Sequence, residues 1–284
     1  MKRLRIAPAY SKKYLETERP QPLSDYKIES LIQEVLSGKI DQDITDHVYD
    51  NFKDEMMEWI LNTKNSIKGL HKFKRIDIIN GCTQFIDNVY MQGPVQTLIG
   101  DYTYHTRLNP NIIYSTPGYL RKDLPLILAM PFPSLGDVQY NIKDILDDAH
   151  EKNVKVHVDG AWLSCSQGVN FDVSHPVVES VGVSLSKGLG LGWNRVGLRW
   201  THNSKPDSIS IMNDFNMNLR APVMIGLHFL RNLPSGYLWN TYGDSYYKIC
   251  KDFNLTPTKS IHMALQNGNP VGLSPLIRKL HEKL

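Results

Sequence analysis

The sequence predicts an α/β protein: a three-layer, mostly parallel sheet with helices on both faces, followed by a reduced, mainly helical small domain. Three observations carry this reading. Short β-rich runs alternate with helical segments over residues 75–200, the pattern of crossover connections between parallel strands. The run LPLILAM (124–130) is apolar throughout, as a strand covered on both faces must be. Beyond Trp200 the chain turns to long segments of helical composition.

Residues 1–22 hold Pro8, Pro20 and Pro22 and read as an extended arm. SDYKIESLIQEVLSG (24–38) reads as a helix with a Ser or Asp cap and a glycine stop. The segment 45–69 has apolar residues near helical spacing and predicts a second helix. RIDIIN (75–80) is a strand ended by Gly81, and TQFIDNVYMQ (83–92) a helix. VQTLIG (95–100), NIIYS (111–115) and 124–130 are strands. YNIKDILDDAHEKN (140–153) is a helix, and VKVHVD (154–159), SVGVSLS (180–186) and RVGLRW (195–200) are strands. Residues 221–234 and 235–253 read as helices, 256–268 as a strand, and 274–284 as a final helix. The aromatic residues of 235–253 are expected to pack on the large domain. The implied division is an arm with helices over 1–70, a large domain over 71–235 and a small domain over 236–284.

A chain of 284 residues that is 41% hydrophobic can bury a large core. Lys plus Arg number 32 and Asp plus Glu 29, a formal charge of +3. That balance gives no electrostatic reason to expect nucleic acid or an acidic membrane as partner. No apolar run is long enough to span a bilayer, and the basic head MKRLR lacks the apolar core of a signal peptide. The cysteines, Cys82, Cys165 and Cys250, are odd in number and far apart. They are expected to be reduced thiols in a cytoplasmic protein.

In parallel sheets ligands sit beyond the carboxyl ends of the strands, so the residues just after each strand are the candidates. Gly81-Cys82-Thr83 opens a helix and suits a phosphate, or is an ordinary helix start. Tyr102 and Tyr104 could stack on a flat ligand or belong to the core. Asp159 ends an apolar strand, where a carboxylate needs a cation or donors. His157-x-Asp159 could form half a metal site, but no third ligand is near, and no metal is expected. Lys187 stands between Ser186 and Gly188, after an apolar strand and before a crowd of glycines. It is either a surface residue or a buried amine tuned to be a nucleophile. GLGLG (188–192) is not a dinucleotide loop, because a strand follows it and not a helix.

Taken together, these landmarks resemble the fold-type-I pyridoxal-phosphate enzymes, most closely the aspartate-aminotransferase-like class I/II branch. Ser184 stands three residues before Lys187 and Arg195 eight after it, followed by Val196-Gly197, as around that family's cofactor lysine. Gly81-Cys82-Thr83 is similar to the family's phosphate turn, and Asp101-Tyr102-Thr103-Tyr104 to its Asp-Pro-x-Tyr strand end. Asp159 matches the aspartate at a strand end, with Trp162 where the family has a tyrosine. The resemblance implies a Schiff base between Lys187 and pyridoxal 5'-phosphate, with Asp159 facing the ring nitrogen and Tyr104 stacked on the ring. It implies a phosphate site of Gly81, Cys82, Thr83, Ser184, Ser186 and Arg195. Trp162 would serve the ring oxygen or pack beside the ring. It also implies a homodimer acting on an amino acid or amine, most simply as an aminotransferase. Alternatives are a decarboxylase, lyase or carbon–carbon bond-forming enzyme on the same cofactor, since HVDGAW is also similar to a run in the group II decarboxylases. A non-catalytic relative that binds cofactor or a partner is the reading from another class. The sequence departs from the family in PFPSLG, where Phe132 or Ser134 replaces an asparagine, and in its short C-terminal part. The family's arginine for the substrate carboxylate has only Arg220, Arg231 and Arg278 as candidates.

Overall fold

The structure, a computed structural model, describes Leu23, residues 25–39 and residues 47–281. The expected arm over 1–22 lies outside the described residues. In chain order the elements are α1 (Tyr26–Leu36), α2 (His47–Leu61), β1 (Ser66–Lys68), β2 (Arg75–Ile79), α3 (Gly81–Met91), β3 (Gln96–Leu98), α4 (Tyr104–Leu108), β4 (Ile113–Ser115), β5 (Leu126–Ala129), α5 (Ile142–Glu151), β6 (Val156–Gly160), β7 (Asn170–Asp172), β8 (Val178–Ser184), β9 (Gly197–Thr201), α6 (Ser208–Asp214), α7 (Arg220–Asn232), α8 (Tyr237–Asp252), β10 (Thr256–Pro257), β11 (Met263–Gln266), β12 (Asn269–Gly272) and α9 (Ser274–His281).

The main sheet has seven strands in the order β2-β9-β8-β6-β5-β3-β4. All run parallel except β9, which is antiparallel to both β8 and β2. β5, β6 and β9 are buried at every residue, which explains the unbroken apolar run of β5, while the polar residues of β6 and β9 are held by buried partners such as Ser180 for His157 and Asp77 for Arg199. Register aligns the strand ends that matter. Ala129 pairs with Asp159, Asp159 with Gly182, and Ser184 and Ile79 both pair with Gly197. The exits of β2, β5, β6 and β8 and the entry of β9 therefore share one sheet edge. α3 packs onto β8 at Gly182, where a Cβ would lie 2.7 Å from the Phe85 ring, so only glycine admits the helix so close.

The second expected helix stops at Leu61, and residues 66–68 become β1, paired in parallel with β7. Thr63 marks that stop by donating its hydroxyl to the Ile60 carbonyl at 2.7 Å. α1 starts at Asp25, whose carboxylate accepts from the Ile28 N–H at 2.9 Å and caps the helix.

The C-terminal part is not helical alone. β10, β11 and β12 form an antiparallel sheet, turned at Asn267-Gly268, both with positive φ (52° and 80°), the Asn-Gly turn that hairpins favour. Its apolar cluster joins Tyr242, Tyr246, Ile261 and Leu273 to Leu23 and Cys165. Tyr246 donates to the Met263 carbonyl at 3.0 Å and Trp239 to the Cys165 carbonyl at 3.2 Å, so the α8 aromatics meet both this small sheet and the connection between β6 and β7.

One buried ionic cluster ties α3, α6, β2 and β9 together. The Arg199 guanidinium donates to Asp77 and Asp207, each at 2.6 Å, and to Asn88 at 3.2 Å. The Asp77 side chain is fully buried and that of Arg199 is 4% exposed. Removing the cation leaves a buried carboxylate short of its main partner. Arg199→Met is therefore expected to destabilise the fold by about 3 kcal/mol, measured by urea unfolding. A change within a few tenths of a kcal/mol would mean that the cluster contributes nothing net.

Candidate functional site

The shared sheet edge opens into a cavity of about 550 Å³. Asp159 and Ser184, at the ends of β6 and β8, line its floor with Lys187. Cys82, Thr83, Ser186 and Arg195 line one corner, and Tyr102, Trp162 and Pro131 the walls. Its remaining lining includes Glu29 and Ile32 of α1, Trp193, and Arg278 of α9.

Asp159 is 3% exposed. Burial raises its pKa from 3.8 to about 6, against the opposing pull of the Ala161 N–H, the Cys82 thiol and the Lys187 charge. The Ala161 N–H donates to its Oδ1 at 3.0 Å. Such a carboxylate is short of a cationic donor. The Cys82 thiol is itself held well above its usual pKa, by burial first and by the Asp159 charge second.

Lys187 sits two residues past the Leu185 N–H, which donates to the Val196 carbonyl at 3.1 Å and closes the β8–β9 connection at its base. Its charge reaches Asp159, Cys165 and His262. His262 is 1% exposed and stays neutral, its pKa lowered to about 3 by burial and then by Lys187 and Arg278.

The corner beside Arg195 suits an anion. α3 begins at Gly81 (φ 75°) and no side chain caps it, so its first N–H groups and positive dipole end face outward. Arg195 donates to the Thr83 hydroxyl at 2.6 Å and to the Gly192 carbonyl at 3.2 Å. The Ser186 hydroxyl is buried without a hydrogen-bond partner. A Cβ at Gly81 would lie 3.3 Å from that hydroxyl and 3.5 Å from Arg195 Cβ, so glycine leaves this corner open.

The other expected site residues fall differently. Tyr104 does not line the cavity. It opens α4, and its hydroxyl donates to Asp87 at 3.0 Å. Tyr102, two residues earlier, lines the cavity instead, and the two rings are stacked 5.8 Å apart. Asp101 lies buried beneath them, accepts from the Tyr102 and Ala129 N–H groups at 2.6 and 3.1 Å, and has its pKa raised by burial to about 7. Phe132 is fully buried, and Ser134 packs against Gly100. His157 bonds Ser180 at 2.7 Å, and its pKa is lowered by burial to about 3. Among the described residues no cluster of three or more His, Cys, Asp or Glu could hold a metal ion.

Of the three candidate arginines, Arg220 lies over the Tyr49 ring at 5.6 Å and Arg231 pairs with Glu55 at 2.6 Å. Arg278 lines the cavity, and neither a hydrogen bond nor an ion pair joins its guanidinium to a described residue. Its neighbours Leu276 and Ile277 are buried in the small cluster, which fixes this turn of α9 in place. Glu29, Ile32 and Trp193 were not expected. Ile32 alone carried a signal, an apolar residue off the Ile28-Leu31-Val35 buried stripe.

No family model matches the sequence, and no curated protein matches it. Solved structures do. The alanine aminotransferase from Pyrococcus furiosus superposes with a TM-score of 0.60 at 11% identity, over 86% of this chain and 72% of that one. The aminotransferase from Staphylococcus aureus gives 0.58 at 15% identity, over 93% and 89%. The PLP-bound C–S lyase from Staphylococcus hominis gives 0.55 at 14%, over 96% and 80%. At these identities the likeness is one of fold, the fold-type-I architecture.

Proposed function

We propose that this chain, built on the fold-type-I architecture, is a pyridoxal-phosphate-dependent enzyme of amino acids or amines, and that its reaction is transamination. One observation carries the reading: Lys187, Asp159 and the Thr83–Ser186–Arg195 corner converge on a single cavity at the strand ends. The residues fit the cofactor. Lys187 offers an amine to an aldehyde. Asp159 lacks the cationic donor that a protonated pyridine nitrogen would be. The unpartnered Ser186 hydroxyl, the Arg195 fork and the uncapped α3 start offer donors to a phosphate. Tyr102 and Trp162 flank the place of the ring.

When bound, pyridoxal phosphate supplies an aldehyde that condenses with amines and a ring that draws electrons from the substrate α-carbon. Asp159 would hold the proton on the ring nitrogen. Arg195, Thr83, Ser184, Ser186 and the N–H groups of Cys82 and Thr83 would hold the phosphate. The Lys187 amine would act as the base and acid that moves the proton at the substrate α-carbon. Arg278, which pairs with no carboxylate among the described residues, receives the substrate carboxylate as a bidentate donor. In this reading residues 71–235 form the cofactor domain and 236–284 the small domain. A homodimer fits Trp193, which is 99% exposed beside the cavity. A reducing, cytoplasmic setting fits the three buried free thiols.

The test is to load the protein with pyridoxal phosphate and offer an amino-acid panel with 2-oxoglutarate or pyruvate. Transamination predicts a keto acid from the donor and a new amino acid from the acceptor. Ammonia or a thiol released instead would assign elimination, the chemistry named for the Staphylococcus hominis structure. Protein that takes up no cofactor would overturn the reading.

A further inference from the structure

The residues lining the cavity carry five charges: Lys187, Arg195 and Arg278 are positive, Asp159 and Glu29 negative. The proposed chemistry uses four of them and leaves Glu29 without a task. Glu29 is exposed, and neither an ion pair nor a hydrogen bond joins its carboxylate to a described residue. It does not sit on a loose segment. α1 buries Ile28, Leu31 and Val35, and Glu34 meets His228 of α7 at 3.0 Å. At its start the Asp25 carboxylate accepts from the Tyr237 and Tyr242 hydroxyls at 2.6 and 2.7 Å. One turn past Glu29, Ile32 adds an apolar wall to the same cavity.

Glu29 and Arg278 thus come from opposite ends of the chain, carry opposite charges, line one cavity and do not pair with each other. A ligand with a carboxylate at one end and a cation at the other satisfies both. We propose that the substrate is an amino acid with a basic side chain on an extended aliphatic stem, its distal ammonium or guanidinium received by Glu29 and its methylenes lying along Ile32. An acidic side chain would meet like charge at Glu29, and a neutral one would gain nothing there. Trp162, Trp193 and Tyr102 offer π faces that attract a cation further. This inference rests on the reading of the cavity as a pyridoxal-phosphate amino-acid site.

The test compares L-ornithine with L-norvaline, which has the same stem without the distal amine, on the loaded protein. Binding is followed by tryptophan fluorescence, since Trp162 and Trp193 line the cavity, and turnover by keto-acid release. An exposed ion pair predicts about fivefold tighter binding of ornithine. That advantage should fade between low salt and about 0.5 M KCl, where screening is short-ranged. Glu29→Gln should bring the ornithine Kd to that of norvaline. L-Arginine in place of ornithine decides between guanidinium and ammonium, a stronger preference for either supporting the proposal. Equal Kd values for ornithine and norvaline in the native protein, or an ornithine preference that survives in E29Q, would overturn it while the cofactor reading stands. Failure to take up cofactor would overturn both.

Discussion

Lys187→Ala is expected to lower kcat by about 10,000-fold, because the variant loses the group that moves the proton at the substrate α-carbon. Lys187 also makes the proposed covalent link to the cofactor. Borohydride reduction of the loaded native protein, followed by digestion, should therefore leave the cofactor on the peptide containing Lys187. The variant should leave none and lack the visible absorbance. Its fold should persist, since the side chain is only partly buried and lines a cavity. The urea midpoint of the cofactor-free variant should stay close to that of the native protein. A variant that keeps more than a tenth of native turnover would remove Lys187 from the mechanism.

Asp159→Asn should lower kcat by about 1,000-fold, because an amide cannot hold the ring nitrogen in its protonated form. The same change should stabilise the cofactor-free protein. Burial raises the Asp159 pKa from 3.8 to about 6, so the folded state binds its proton more tightly than the unfolded chain. The sign follows from linkage. Below about pH 4 both states are protonated and Asp159 costs nothing. As pH rises toward about 6 the unfolded chain ionises first, and folding loses free energy that it does not regain above that pH. The penalty at neutral pH is about 3 kcal/mol. Urea unfolding of the cofactor-free D159N protein should thus show a gain at pH 8 that vanishes near pH 4. A gain independent of pH would mean that the carboxyl is not strained by burial.

Much of this was legible in the sequence because the physics is local. A strand covered on both faces is apolar unless its polar groups find partners, and β5 is apolar throughout. A helix started by glycine after such a strand leaves its N–H groups open, as at Gly81. The spacing of Ser184, Lys187 and Arg195 fixes one exit and one entry of adjacent strands. What escaped depends on direction or on distant contacts. An apolar run does not say which way it points, so the antiparallel course of β9 was not readable. α4 spans only five residues, too short for periodicity, and its start decides that Tyr102 rather than Tyr104 lines the cavity. β1 was read as the tail of a helix because its pairing partner at Asn170–Asp172 lies about a hundred residues away. Glu29 and Arg278 reach the cavity only through the packing of α1 and α9 on other elements.

The backbone bond between Leu185 and Val196 closes residues 186–195 into a cassette. Lysine and arginine stand near its two roots, buried Leu189 and Leu191 hold its middle in the core, and exposed Trp193 forms its tip. Exchanging the tip alters what passes over the opening while both roots stay clamped. Closure entropy grows only slowly with length, so the cassette can be lengthened at modest thermodynamic expense. That gives evolution, or an engineer, a place to change substrate preference without touching the reactive groups.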